Sequence, residues 1–354
     1  MTRENPSATS ELDRIADTAA ELAELRSTAD HILQQAWTVE QTRTLLDDPD
    51  GAFDVSAWNL VAQLGWPAVL VSEDNGGGGG KLRQLCVLAE AAGSVALPVP
   101  LASAAAANWC VDRCAPQMAL LLEDVGATCS GSTVTGTWPA VGYGAVADTV
   151  VVSAWRDDEP VLGTVDLNGP GVKREPERPL DRNPAASIAL ESAQFDELRS
   201  GTGATDRHRD AVAIARLATV SELIGIASAA NLAAAEYAKA RSTFGRPIGT
   251  RQAIKHRLVD QLSVIEVARA LVHRAADAHE QQHPDAAAQV SLAAFWAIDT
   301  LRKVPEGATQ VFGGIGYTWE HQAHVHLRRA ATCAASLGSR SYHRGVAAGW
   351  LSSR

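Results

Sequence analysis

The feature of this sequence that most constrains its fold is a change of pattern along the chain, from helical to β-type and back to helical. Apolar residues recur every three or four positions up to about Trp109 and again from Asp206 onward, as in amphipathic helices. Between them, short runs of Val, Ile and Leu alternate with Gly, Pro, Asp and Asn, which is typical of antiparallel strands joined by turns. The pattern predicts an α+β fold with an N-terminal helical domain (1–112), a central β domain (113–204) and a C-terminal four-helix bundle (205–354).

The C-terminal part carries the most detailed predictions. A third helix of the bundle is expected from about Asp285 to Val311, and a fourth from about Glu320 with Thr318 as its N-cap. The first two helices should each bury one apolar face, which consists of Leu217, Val220, Ile224 and Ala227 on the first and Ile254, Leu258, Leu262, Ile265 and Val272 on the second.

Composition excludes several classes of function. The net charge of −10 argues against a nucleic-acid surface, because phosphate binding needs clustered Lys and Arg. The longest nearly uncharged stretch, 95–109, contains two prolines and is too short to span a bilayer. Of the five cysteines, Cys110 and Cys114 are separated by three residues rather than the two that zinc and redox pairs prefer. We therefore expect reduced thiols in the cytoplasm.

Two groups of histidines resemble metal ligands, but we predict that neither binds a metal. Residues 279–283 match the HExxH string, yet Pro284 disfavours a helix at that point, so a loop between helices is expected. On a helix, His324 and His326 would point to different faces, so they and His321 do not form a convergent ligand set.

The strongest functional signal is a pair of segments, YAKARSTFGRPIGTRQ at 237–252 and QVFGGIGYTWE at 310–320. Arg241 stands where a helix gives way to a Gly-Pro turn, so its planar guanidinium can project and bind a pyrophosphate. Gly313 and Gly314 allow a ligand to approach the backbone closely. Taken alone, either segment is more simply interpreted as a solvated helix end or a plain loop.

Together, in this order and after a β region, the two segments closely resemble the acyl-CoA dehydrogenase family, and Leu64-Gly65-Trp66 is similar to its N-terminal domain. The resemblance implies FAD as the cofactor, with its ring against the β domain of one subunit and its ADP part reaching the neighbouring subunit. The residues that match the family's contacts to the neighbour's FAD are Arg241, Thr243, Phe244, Gln252, Gln310, Gly313 and Gly314.

The half of the family's flavin site that holds the ring is missing from this sequence. Family members usually carry a Thr-Glu-Pro-x-Ala-Gly-Ser-Asp-like stretch, and the corresponding region, 120–126, has nothing similar. Gly142 replaces a threonine that contacts the flavin. The resemblance therefore implies that this chain alone binds little FAD.

The catalytic base of the family is missing as well. Removing a proton from the α-carbon of an acyl thioester needs a carboxylate. The position that carries the glutamate in most members is Leu337 here, and the position used by a minority is Ala215. Glu222, two turns beyond Ala215, is the nearest acidic candidate, although an interface or capping role is the simpler interpretation of it.

The resemblance thus predicts a subunit of a heteromeric, FAD-dependent acyl-CoA dehydrogenase, an oxidoreductase that acts on the CH–CH bond of an acyl-CoA substrate. Such a chain is similar to the non-catalytic subunit of actinobacterial heterotetrameric enzymes that dehydrogenate steroid-derived CoA thioesters. A partner subunit of the same family would supply the base. Two alternatives stay open: a self-sufficient dehydrogenase that uses Glu222 or another displaced base, and a non-enzymatic scaffold subunit.

Overall fold

The computed structural model describes residues 6–48, 53–114, 118–123 and 125–353, and its first part is helical. A 3-10 turn at Glu73–Asn75 ends on Gly76, whose φ of 80° is left-handed, so a glycine fits there. The helices of this part are α1 (Pro6–Ala36), α2 (Val39–Asp47), α3 (Val55–Gln63), α4 (Leu82–Ser94) and α5 (Leu101–Val111).

The central part is one eight-stranded sheet. Its strands are β1 (Ala119–Leu121), β2 (Ala127–Ser130), β3 (Thr133–Val141), β4 (Thr149–Arg156), β5 (Glu159–Asp166), β6 (Val172–Pro176), β7 (Ala186–Gln194) and β8 (Asp196–Ser200). Their order is β6-β7-β3-β2-β4-β5-β8, with β1 beside β4. The expectation of an antiparallel domain is wrong at two pairings, because β1 and β2 each run parallel to β4. The intervening strands give the chain enough length to cross over.

The last part is helical and is organised around its first helix, α6, which has 39 residues. Helices α4, α7, α9 and α10 all pack against it, and the predicted face from Leu217 to Ala227 is fully buried. By length and apolarity α6 could cross a membrane, but 67% of its most apolar window is buried inside the fold. The helices are α6 (Thr202–Ala240), α7 (Gln252–Glu280), α8 (Ala286–Asp299), α9 (Val304–Phe312), α10 (Ala323–Ser336) and α11 (Arg340–Ser352).

Helices α4 and α6 cross in direct backbone contact. A Cβ atom on Gly93 would lie 2.1 Å from the carbonyl oxygen of Glu222, and one on Gly225 would lie 2.0 Å from that of Glu90. Only glycine fits at either position without a shift of the backbone. This crossing fixes the position of Glu222 on α6 relative to α4.

Two predicted helix boundaries are wrong. The expected helix from Asp285 to Val311 breaks at Thr300 into α8 and α9, and Pro305 stands in the first turn of α9, where its missing N–H costs no helical bond. The last predicted helix begins at Ala323, because the Thr318 hydroxyl donates to the carbonyl of Ile315 rather than capping a helix.

Two predictions about α7 also need correction. Leu262 is 49% exposed, whereas Ile265 and Val272 are buried as expected. His279 belongs to the last turn of α7, which ends at Glu280, so only His283 lies in the connecting loop.

Candidate active site

A cleft of about 430 Å³ lies between the sheet and the helices. Its lining includes residues 138–143 at the end of β3, residues of α6 from Val212 to Glu222, and residues of α10 from Arg329 to Ser336. Within the described residues, its carboxylates are those of Glu123 and Glu222. The chemistry of the cleft therefore depends on how these two groups are held.

Glu222 is locked in a buried ion pair. Arg329 Nε donates to Glu222 Oε1 at 2.7 Å, and both side chains are nearly inaccessible to solvent. The same guanidinium donates through Nη1 to Asp181 Oδ2 and to the Tyr143 hydroxyl, each at 2.9 Å, and through Nη2 to the Val99 carbonyl at 3.3 Å. This network, which we call the Arg329 cluster, ties α6 and α10 to the sheet.

The electrostatics of the Arg329 cluster keep the arginine charged. Burial alone would lower the pKa of Arg329, but the charges of Glu222 and the other cluster members raise it well above its usual value. Burial raises the pKa of the Tyr143 phenol and that of the Cys333 thiol, so both stay protonated. The Glu222 carboxylate thus faces a permanent cation, and its Oε1 is already occupied by the Arg329 N–H.

The two positions where the family keeps its base offer no proton acceptor here. Ala215 lines the cleft with a methyl group, and Leu337 is fully buried in the main hydrophobic cluster. Gly142 also lines the cleft and presents no hydroxyl. The stretch 120–126 contributes Leu121, Leu122, Glu123 and Val125 to the wall of the cleft, and its Asp124 lies outside the described residues.

The Arg241 segment forms a tight hairpin at the far end of α6. Ser242–Thr243 (β9) pairs with Arg246–Pro247 (β10), and the Ile248 N–H donates to the Arg241 carbonyl. Both turn residues have positive φ, 52° at Phe244 and 77° at Gly245, as in a type I′ turn. Phe244 is thereby 94% exposed at the tip, and Gln252 begins α7 just behind it.

Three arginines surround this hairpin, and we call Arg241, Arg246 and Arg251 the arginine triplet. No carboxylate within the described part of the chain forms a salt bridge with any of them. Arg251 donates to Thr243 Oγ1 at 2.9 Å, while its buried Nε has no hydrogen-bond partner. The exposed guanidiniums of Arg241 and Arg246 present donors that fit the pyrophosphate of FAD. Sequence reasoning missed Arg246 and Arg251, although the three arginines recur at intervals of five residues.

The second predicted segment lies beside the first. Tyr237 and Phe312 meet edge to face, with ring centroids 5.3 Å apart, and Ile248 belongs to the same hydrophobic cluster. Gln310 is exposed and accepts a hydrogen bond from the Tyr317 hydroxyl at 2.9 Å. A Cβ on Gly313 or Gly314 would meet no atom within 4 Å, so that backbone is open to a ligand.

The predicted FAD-contacting residues therefore lie together, but far from the cleft of the same chain. Arg241 follows the C-terminus of α6, about 28 Å along the helix axis from Glu222 at the usual rise per residue. The cleft and the Arg241 hairpin of one chain are thus too far apart to enclose one extended cofactor together. A hairpin from another chain would have to approach the cleft, or the reverse.

The structure places the histidines of segment 321–326 in different surroundings. His324 stacks on Trp319 with ring centroids 4.3 Å apart, and His326 is buried. Across the ranges that the structure describes, no group of three or more His, Cys, Asp or Glu side chains converges as metal ligands.

Comparison with known proteins identifies the family. The profile described as "Acyl-CoA dehydrogenase, C-terminal domain" matches residues 205–351. Acyl-CoA dehydrogenase IpdE2 of Mycobacterium tuberculosis is 33% identical over 292 residues, which cover 82% of this chain and 85% of that protein. This chain belongs to the acyl-CoA dehydrogenase family. The predicted fold is confirmed, and the family's enzymes are FAD-dependent oxidoreductases that act on the CH–CH bond of acyl-CoA thioesters.

Two solved heteromeric structures share the fold of this acyl-CoA dehydrogenase. A variant of the Tcur3481-Tcur3483 steroid ACAD has a TM-score of 0.84 and 26% sequence identity to this chain. The match covers 95% of this chain and 98% of the chain in that structure. The ChsE4-ChsE5 complex from Mycobacterium tuberculosis also has a TM-score of 0.84, with 23% sequence identity. The match covers 94% of this chain and 97% of the chain in that complex.

Proposed function

We propose that this chain is the non-catalytic subunit of a heteromeric acyl-CoA dehydrogenase. A partner subunit of the same family would provide the base and the pocket for the flavin ring. This chain would provide contacts to the ADP part of that FAD from Arg241, Thr243, Phe244, Gln252, Gln310, Gly313 and Gly314. The observation that carries the proposal is the buried Glu222–Arg329 pair. Among the described residues, the other carboxylate that lines the cleft is Glu123, whose side chain is 63% exposed and lies 3.7 Å from Arg216.

The state of the arginine triplet supports the second half of the proposal. When bound, FAD supplies the hydride acceptor at its flavin ring, while its pyrophosphate needs fixed cationic donors. Arg241 and Arg251 would bind that pyrophosphate, and the open backbone at Gly313 would let it approach closely. Because these groups lie far along α6 from the cleft, they suit a cofactor whose ring is held by another chain.

An exposed apolar surface supports a partner chain. Val259, Leu262 and Val267 on α7 and Leu232 on α6 are each at least 40% exposed, as is Phe244 at the hairpin tip. Exposed apolar side chains on two helices that pack on each other, and on the hairpin between them, are typical of an interface. The partner would cover them when it brings its flavin to the hairpin.

The substrate class rests on the relatives. The Tcur3481-Tcur3483 structure is described as a steroid ACAD, and its identity to this chain is 26%. From this similarity we propose an acyl-CoA with a steroid-derived acyl group as the first substrate to test.

Flavin counting tests the proposal. The chain expressed alone should retain little FAD, and the complex with its family partner, co-expressed from the neighbouring gene, should carry FAD and oxidise an acyl-CoA. A yellow homomer with a full flavin complement and turnover would contradict it.

Two other functions are less well supported. A self-sufficient dehydrogenase would need Glu222 as its base, but the Arg329 pair holds that carboxylate. A scaffold without any flavin contact would have no use for an arginine triplet that has no carboxylate partner among the described residues.

A further inference from the structure

One stretch of the surface has a charge opposite to that of the whole chain. Residues 237–259 contain six Lys or Arg and no Asp or Glu, whereas the chain as a whole carries a net charge of −10. Lys239 pairs with Glu236 of its own helix. The other five, which we call the cationic strip, are Arg241, Arg246, Arg251, Lys255 and Arg257. The strip thus extends the arginine triplet into the first two turns of α7.

The cationic strip is not neutralised within the chain. None of its five side chains forms a salt bridge with a carboxylate in the part of the chain that the structure describes, and all except the half-buried Arg251 are exposed. Arg251 and Lys255 stand four residues apart at the start of α7, where like charges repel each other across one helical turn. An anion from outside the chain would remove this cost.

The FAD contact proposed above accounts for only part of the cationic strip. A pyrophosphate carries about two negative charges, so two guanidiniums are enough to neutralise it. The residues predicted to contact FAD include Arg241 but neither Lys255 nor Arg257. The remaining cations therefore fit a second and larger anionic surface.

The strip continues into the exposed apolar surface of α7. Lys255, Val259 and Leu262 are spaced by four and three residues, so they share one face of the helix. Val259 is 60% exposed and Leu262 is 49% exposed. An apolar centre beside a charged rim is the usual anatomy of a protein–protein interface, whereas surfaces that bind nucleic acid are more polar. The occupant of this surface is therefore an acidic protein.

We propose that the partner subunit docks on the cationic strip and the exposed face of α7 through an acidic surface, and that the strip steers this association. The inference rests on the proposed function, because it names the surface by which the partner of that function binds. Val259 and Leu262 would be covered at the centre of the contact, and Lys255 and Arg257 would lie at its rim. Charges at a rim mainly set the rate of association, and apolar groups at a centre set the rate of dissociation.

Association kinetics test the steering. The full chain is mixed, in excess FAD, with the family protein encoded by the neighbouring gene. The association rate should fall at least about tenfold when NaCl is raised from about 50 to about 500 mM, because salt screens exposed charges. At the lower salt concentration, Lys255→Glu combined with Arg257→Glu should slow association at least about tenfold and leave the flavin content of the complex unchanged.

The matched control is Arg178→Glu combined with Arg344→Glu. These arginines are exposed, one after β6 and the other on α11, and the double variant changes the net charge by the same amount. Its association rate should stay within about threefold of that of the unmodified chain.

A second double variant separates the apolar centre from the rim. Val259→Ser combined with Leu262→Ser should speed dissociation at least about tenfold and change the association rate by less than about threefold. Both side chains are exposed in the free chain, so the fold should be unaffected.

The outcomes distinguish this inference from the proposed function. A complex whose association rate is insensitive to salt, or a charge reversal at 255 and 257 that acts no more strongly than the control, would overturn the inference and leave the proposed function intact. Failure of the unmodified chain to form any complex would contradict both. Two other occupants are also tested with the chain alone. A homodimer that the charge reversal dissociates, or tight binding of a single-stranded oligonucleotide that the reversal abolishes, would overturn the inference.

Discussion

The cleft beside the middle of α6 and the hairpin at its end both contain arginines, and they differ in what those arginines contact. In the cleft, Arg329 is buried and bonded to Glu222 and Asp181. At the hairpin, Arg241 and Arg246 are exposed, and no carboxylate among the described residues pairs with them. A buried charge must be paired within the fold, whereas an exposed arginine costs little to leave unpaired.

The two groups of arginines therefore have different roles, one in stability and the other in ligand binding. The Arg329 cluster uses its donors on the protein itself, so it stabilises the chain and leaves little for a substrate. The arginine triplet keeps its donors for something outside the chain. In a self-sufficient dehydrogenase both regions would have to serve the ligand, and here we assign that role to the hairpin alone.

The largest expected effect is on the stability that the Arg329 cluster provides. Arg329→Met should lower the free energy of unfolding by about 3–5 kcal/mol, because it leaves Glu222 and Asp181 buried without their cation. Urea unfolding followed by circular dichroism measures the change. Arg344→Met, an exposed position on α11, is the matched control and should change little. A loss no larger than that of the control would remove the structural role we assign to the cluster.

A smaller effect is expected at the hairpin, and it should concern the cofactor rather than the fold. In the assembled complex, Arg241→Ala should weaken FAD retention by about tenfold to a hundredfold, since it removes charge-assisted hydrogen bonds to a pyrophosphate. Arg251→Ala should act in the same direction. Flavin release during dilution, read by fluorescence, measures both.

The control for the hairpin is Arg209→Ala, an exposed arginine near the start of α6 that pairs with Asp206. Its flavin retention should equal that of the unmodified complex. If Arg241→Ala behaves like this control, the arginine is only a solvated helix end.

The sequence predicted the fold, the turn after Arg241 and the glycine loop after Phe312, because these depend on local patterns and short motifs. It failed where a distant contact decides the outcome. The partner of Glu222 is Arg329, 107 residues away, and no local pattern links them. Likewise His321 Nδ1 accepts the Ala323 N–H at the start of α10, a role assigned to Thr318 from sequence preference alone. Leu262 is exposed because the apolar face of α7 continues beyond the core of this chain.

The smallest effect is expected on turnover from Glu222→Gln in the complex. Glutamine keeps the size of the side chain and an oxygen that can accept from Arg329 Nε, so the cleft should keep its shape. If the partner holds the base, turnover should stay within a few-fold of the unmodified complex. If Glu222 were the base, the same change should cost about 10²–10⁴-fold, the usual contribution of a positioned proton acceptor. Flavin content must be measured in the same preparations, because loss of assembly would also lower turnover. A large loss of turnover at full flavin occupancy would return the catalytic role to this chain and would mean that Arg329 releases Glu222 when substrate binds.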